Sequence, residues 1–156
     1  MLGISNSLAG ACNFPSDIIN IYDFSAHSTW TASDVDVFAA ESGSVGFDVT
    51  DNDATWIVYS DAIVVPSHAE QVVVVYDFAM ALLQEGGPMV VRLASDTNGT
   101  ADTTQLAQYT NESSATSAYH ITSANTAHTR LVFRDNMLSS KQTSIAISNC
   151  FVYILS

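Results

Sequence analysis

Apolar side chains return at every second position along most of this chain, a spacing that belongs to strands and not to helices. In "SVGFDVT", Val45, Phe47 and Val49 share one face, and Gly46 and Asp48 share the other. "EQVVVVYDFAMALL" is the strongest element. Its β-branched run Val72 to Val75 suits a strand buried on both faces or lying at a sheet centre. No stretch shows a convincing 3.6-residue period, so the repeat confines the chain to an all-β fold.

The breaks between these runs set the architecture. "ATWIVYSDAIVV" reads as a strand with a turn near Ser60 and Asp61. "EGGP" (Glu85 to Pro88) interrupts the chain before "MVVRLA" resumes it, and the two flanking runs read as a hairpin. From Ser95 to Ser117 the composition turns to Thr, Asn, Asp, Ser and Ala, a polar excursion holding one irregular strand around Gln105 to Tyr109. "AYHIT", "TRLVFRD" and "TSIAISNCFVYIL" supply three more strands. About eight strands at this spacing make an antiparallel two-sheet β-sandwich, a jelly roll. Residues 17–156 form that domain. Residues 1–16, including "MLGISNSLAGACNF", form an N-terminal arm too apolar for a solvated tail, expected to pack on a neighbouring subunit.

Charge narrows the partners. Sixteen acidic residues oppose four basic ones, a net charge of −12 that repels phosphate backbones and argues against nucleic acid. No apolar run approaches the roughly 20 residues that cross a bilayer, so no membrane partner is expected. The N-terminus lacks a positive n-region, so secretion by a signal peptide is not expected, and Met1 suggests a complete gene product. Cys12 and Cys150 lie near opposite ends of the chain. First and last strands of a sandwich often adjoin, so a disulfide is geometrically open, but two buried free thiols in a reducing cytosol are the favoured account.

The order of short motifs resembles a known family. "YDFS" followed by Trp30 and the "GFDV" strand resembles the N-terminal part of carbohydrate-binding-module-like (galactose-binding-like) jelly rolls. "VVVVYDFAM", "GGPMVVRL", "TRLVFR" and "SIAISNCFVYIL" follow in the order of that family's later strands, so the resemblance spans residues 17 to 156. It implies a sandwich of the kind found in extracellular glycan-degrading enzymes and in virion proteins of tailed phages. The chain departs from the pattern at Tyr22, where the family has a turn glycine. It departs again at Ser148 and Asn149, where a closing-strand aspartate often binds structural calcium, which weakens that carry-over.

Candidate residues divide by chemistry. Hydrolysis needs two carboxylates facing one bond, and nothing in the sequence pairs any two of these aspartates. The histidines, His27, His68, His120 and His128, stand in no nucleophile or metal-ligand spacing, so no catalytic residue is assigned. Asp34 and Asp36, and Asp51 and Asp53, crowd carboxylates into loops. They are weak candidates for a Ca2+ cofactor, turn capping accounting for them equally well. Sugars stack on exposed aromatics, for which Trp56, Tyr59, Tyr109 and Tyr119 are the candidates, Tyr109 being the best exposed of them. Phe24 and Trp30 are expected in the core, Asp23 and Ser25 in a turn, and His27 at its tip.

The expectation drawn from all this is a non-enzymatic phage virion structural protein, a capsid decoration, head-fibre or tail-associated jelly roll assembled in the host cytoplasm. Its partners would be other virion proteins, sister copies in a homo-oligomer, and a host surface glycan. The alternative is a free-standing carbohydrate-binding module or adhesin, with a small polysaccharide-active enzyme behind it.

Overall fold

A computed structural model describes residues 17–33, 36–39, 45–49, 57–82, 89–109, 113–135 and 143–156. The strands are β1 (Ile18–Asp23), β2 (Trp30–Ser33), β3 (Asp36–Ala39), β4 (Val45–Val49), β5 (Ile57–Ser60) and β6 (Gln71–Leu82). They continue with β7 (Met89–Ala94), β8 (Thr104–Tyr109), β9 (Ser113–Ser123), β10 (Arg130–Asp135) and β11 (Thr143–Leu155). One sheet runs β3-β4-β11-β6-β9, with β1 also paired to β11. The other runs β2-β5-β10-β7-β8. Every pairing is antiparallel. The protein is an all-β, two-sheet jelly-roll sandwich.

Two details differ from the sequence reading. The described residues hold eleven strands where about eight were expected, because "IINIYD", "WTAS" and "DVFA" pair with stronger neighbours despite their weak periodicity. The runs on either side of "EGGP" are not a hairpin: β6 joins the first sheet and β7 the second. Both runs are apolar because both are central strands, and a Gly-Pro break marks a reversal without saying which sheet the chain re-enters. The arm and the "EGGP" turn lie outside the described residues.

The core is stitched by aromatic rings. The Phe133 ring on β10 meets Trp30 of its own sheet at 5.6 Å and Tyr76 of the opposite sheet at 5.3 Å, both edge-on. Phe24 and Trp30 are both buried, as expected, and the Trp30 Nε1–H donates to the Phe24 carbonyl at 2.8 Å. Asp23 makes the expected turn by accepting the Ser25 N–H at 2.9 Å, and His27 is exposed.

The loop between β7 and β8 is tied back over the second sheet. Arg92 donates to the Gly99 carbonyl at 2.9 Å, and Arg134 donates to the Asn98 carbonyl at 2.6 Å. Inside the loop, Asp96 accepts both the Thr100 and Ala101 backbone N–H groups and the Thr100 hydroxyl. Burial alone would push its pKa up, but these hydrogen bonds prevail and hold it below the usual carboxylate value.

Candidate functional site

The outer face of the six-stranded sheet carries the most distinctive surface, and strand parity explains it. Val72, Val74, Tyr76 and Phe78 of β6 lie in the core, so Val73, Val75 and Asp77 face outward. In β11 the core set begins with Ile145 and Ile147 and then changes phase to Cys150, Val152 and Ile154. The change falls at a bulge between Ser148 and Phe151, where Asn149 adopts φ 49°, a left-handed conformation that asparagine tolerates better than most residues. That phase change turns Phe151 and Tyr153 outward.

Register then lines up two rows across four strands. Ile21, Tyr153, Val73 and Ile121 are successive partners on β1, β11, β6 and β9, and so are Asp23, Phe151, Val75 and Tyr119. Ile21 is 50% exposed, Ile121 42% and Tyr119 36%, while Val73 at 1% forms the floor between its neighbours. The Phe151 and Tyr153 ring centroids lie 6.2 Å apart, with the ring planes tilted by 34°. Polar groups stand beside them: the Asn149 Nδ2 donates to Asp77 Oδ2 at 2.7 Å, and Asp23 is exposed. Burial raises the Tyr153 pKa and the Asp23 charge adds to it, so its hydroxyl remains a donor at any physiological pH. An apolar surface bordered by carboxylates and an amide suits a ligand with one apolar face and a rim of hydroxyls.

The three aromatic candidates among the described residues, Tyr59, Tyr109 and Tyr119, are not brought together. Tyr119 lies on this platform. Tyr59 faces outward on the other sheet, with the Arg130 guanidinium 5.7 Å from its ring centroid. Tyr109 corrects its expectation of exposure: it is half-buried, with its ring 4.2 Å from Phe78 and its hydroxyl 2.9 Å from that of Tyr76. Trp56 lies outside the described residues, as do Cys12, Asp34, Asp51 and Asp53 and the side chain of Asp36. Cys150 is buried, and burial pushes its thiol pKa up. Among the described residues no group of three or more His, Cys, Asp or Glu side chains could hold a metal ion, and no helix is long and apolar enough to cross a membrane.

A second polar cluster bridges the sheets at the β8–β9 side. The Tyr76 hydroxyl touches both Tyr109 and His120 Nε2, the latter at 3.1 Å. Apart from this cluster, the buried His128 holds its Nε2 3.3 Å from the Thr104 hydroxyl at the other end of β8. Burial lowers the pKa of both histidines, and Asp102 offsets only part of the effect at His128. Unfolded histidine titrates near pH 6.5, so just below that value the unfolded chain binds protons that the folded chain refuses. The histidine contribution is therefore intact above about pH 6.5 and is lost as pH falls toward the lowered folded values. Melting temperature measured between pH 7.5 and 5 should fall with acid. A flat profile would mean that these histidines protonate freely in the fold.

No protein-family model matches this chain, and no curated protein does. Solved structures do. The CBM22-1 xylan-binding domain from Paenibacillus barcinonensis is 18% identical with a TM-score of 0.53, covering 90% of this chain and 96% of that one. A family 29 carbohydrate-binding module is 9% identical with a TM-score of 0.54, covering 86% and 85%. The N-terminal cellulose-binding domain of a Cellulomonas fimi β-1,4-glucanase is 10% identical with a TM-score of 0.52, covering 79% and 86%. The fold is thus that of carbohydrate-binding-module β-sandwiches. None of these three is a virion protein.

Proposed function

We propose that this chain is a non-catalytic glycan-binding domain, and that its ligand lies on the outer face of the six-stranded sheet. The observation that carries the reading is the paired rows Ile21–Tyr153–Val73–Ile121 and Asp23–Phe151–Val75–Tyr119, a polar-bordered apolar platform on an otherwise acidic protein. The structural similarity to carbohydrate-binding modules supports the same reading and favours it over assembly into a virion, to which no observation here points. The ring faces of Phe151 and Tyr153 would stack on the C–H face of a sugar, and Asp23, Asp77, Asn149 and the Tyr153 hydroxyl would meet its hydroxyls. A net charge of −12 disfavours uronate-rich or sulfated chains, so the ligand is a neutral glycan.

A glycan array followed by calorimetry tests this. Binding to a neutral polysaccharide is expected, with Phe151→Ala and Tyr153→Ala each weakening it roughly tenfold, about 1.4 kcal/mol. Tyr59→Ala, on the opposite sheet, should leave affinity unchanged. An array with no bound glycan overturns the reading, and loss of binding in Tyr59→Ala alone moves the site to the other face.

A further inference from the structure

We infer that Asn98 is a self-modification site: the backbone nitrogen of Gly99 attacks the Asn98 side-chain amide, and Arg134 activates that nitrogen. Asn98 and Gly99 form the only Asn-Gly pair in the chain. Every other described asparagine has its side chain pinned. Asn20 accepts the Ile21 N–H and donates to the Tyr22 hydroxyl, Asn125 accepts the Ala127 N–H, and Asn149 donates to Asp77. Asn98 is exposed, and among the described residues its side chain has no hydrogen-bond partner. The next two backbone N–H groups after Gly99, those of Thr100 and Ala101, are held by Asp96, but the Gly99 N–H has no acceptor among the described residues. Electrophile and nucleophile are both unengaged, and they are adjacent.

The fold supplies the activation. An amide nitrogen becomes a nucleophile when it gives up its proton, and resonance shares the resulting charge with the oxygen of the same peptide group. For the Gly99 nitrogen that oxygen is the Asn98 carbonyl, to which the Arg134 Nη1 donates at 2.6 Å. A cationic donor on the atom where charge gathers favours the deprotonated form. The nitrogen then forms a bond to Asn98 Cγ and closes a cyclic imide, with no Cβ on Gly99 to obstruct the ring. The bond from Cγ to Nδ2 breaks, and Nδ2 leaves as ammonia with a proton equivalent to the one that Gly99 lost. Solvent water opens the imide at either carbonyl, giving aspartate or isoaspartate. In sum, an amide and a water become a carboxylic acid and ammonia. The isoaspartate product adds a methylene to the main chain just before Gly99, which is seated on Val132 and held by Arg92. The reaction therefore adds a negative charge and disturbs the anchoring of this loop.

Peptide mapping by mass spectrometry, on the full chain aged in mildly alkaline buffer, tests the inference. Asn98 is expected to convert first, while Asn20, Asn125 and Asn149 remain amides. Arg134→Gln keeps an N–H donor and removes the charge, and should slow conversion roughly tenfold. Arg134→Lys restores a cation and should recover most of the rate. If Arg134 served only to tie the loop down, its removal would free the turn, and conversion would quicken or stay the same. Either result overturns the inference. In urea, with Arg134 no longer held beside Asn98, wild type and Arg134→Gln should convert at the same rate. A difference that persists in urea overturns the activation, and so does a folded wild-type chain in which Asn98 stays intact. Glycan binding enters none of these measurements, so the inference stands apart from that reading.

Discussion

Phe133→Ala is expected to cost about 3–5 kcal/mol, a fall in melting temperature of roughly 10 °C. Phe133 is fully buried and is a ring on which the two sheets meet: Trp30 packs on it from its own sheet and Tyr76 from the other. Removing it deletes buried apolar surface and leaves a void between two hydrogen-bonded sheets that cannot collapse without breaking register. Total stability of an ordinary domain is only about 5–15 kcal/mol, so this one substitution removes a large share of it. Urea unfolding measures the effect. A loss below about 1 kcal/mol would mean that the sheets close over the gap, and that the ring contacts are not what sets their spacing.

The second large effect is expected at a loop. Gly99→Val should destabilise by about 3 kcal/mol. Gly99 has φ 65°, in the left-handed region where a β-branched side chain is strained. An added Cβ would stand 3.0 Å from Val132 Cγ1, a fully buried side chain in β10 that has little room to move. Relief by lifting the loop would stretch the hydrogen bonds from Arg92 to the Gly99 carbonyl and from Arg134 to the Asn98 carbonyl. Gly99→Ala should show the strain with less of the crowding and fall between wild type and valine. Equal melting temperatures for all three proteins would mean that the loop is not held against the sheet.

These two sites differ in how far the sequence announces them. Alternation around Phe133 in "TRLVFRD" marks a core strand, and Asn-Gly within a polar run marks a turn. Neither pattern shows that Phe133 meets Tyr76, or that the turn folds back under two arginines. Those contacts join residues far apart in the chain, and local periodicity carries no information about them. The same limit explains the misread hairpin at "EGGP", where the break was visible and the change of sheet was not.

The platform was legible in part. Tyr119 is a candidate in the sequence as an aromatic able to stack on a sugar, whereas Ile21, Phe151 and Tyr153 are not singled out there. A signal was nevertheless present in "TSIAISNCFVYIL": the apolar phase runs through Ile145 and Ile147 and resumes at Cys150, Val152 and Ile154, and a one-residue slip of this kind is the mark of a bulge. Reading that slip would have turned Phe151 and Tyr153 out of the core.

By itself, the sequence determined that this chain is all-β, that it forms a two-sheet sandwich and that its acidic surface disfavours nucleic acid. Strand periodicity and net charge are local or additive properties, and any chain displays them before it folds. Only the tertiary structure decided which strands pair and which sheet each run joins. Those depend on pairing between strands distant in sequence, such as β1 with β11 and β6 with β11, and local periodicity carries no information about which distant strand becomes the neighbour.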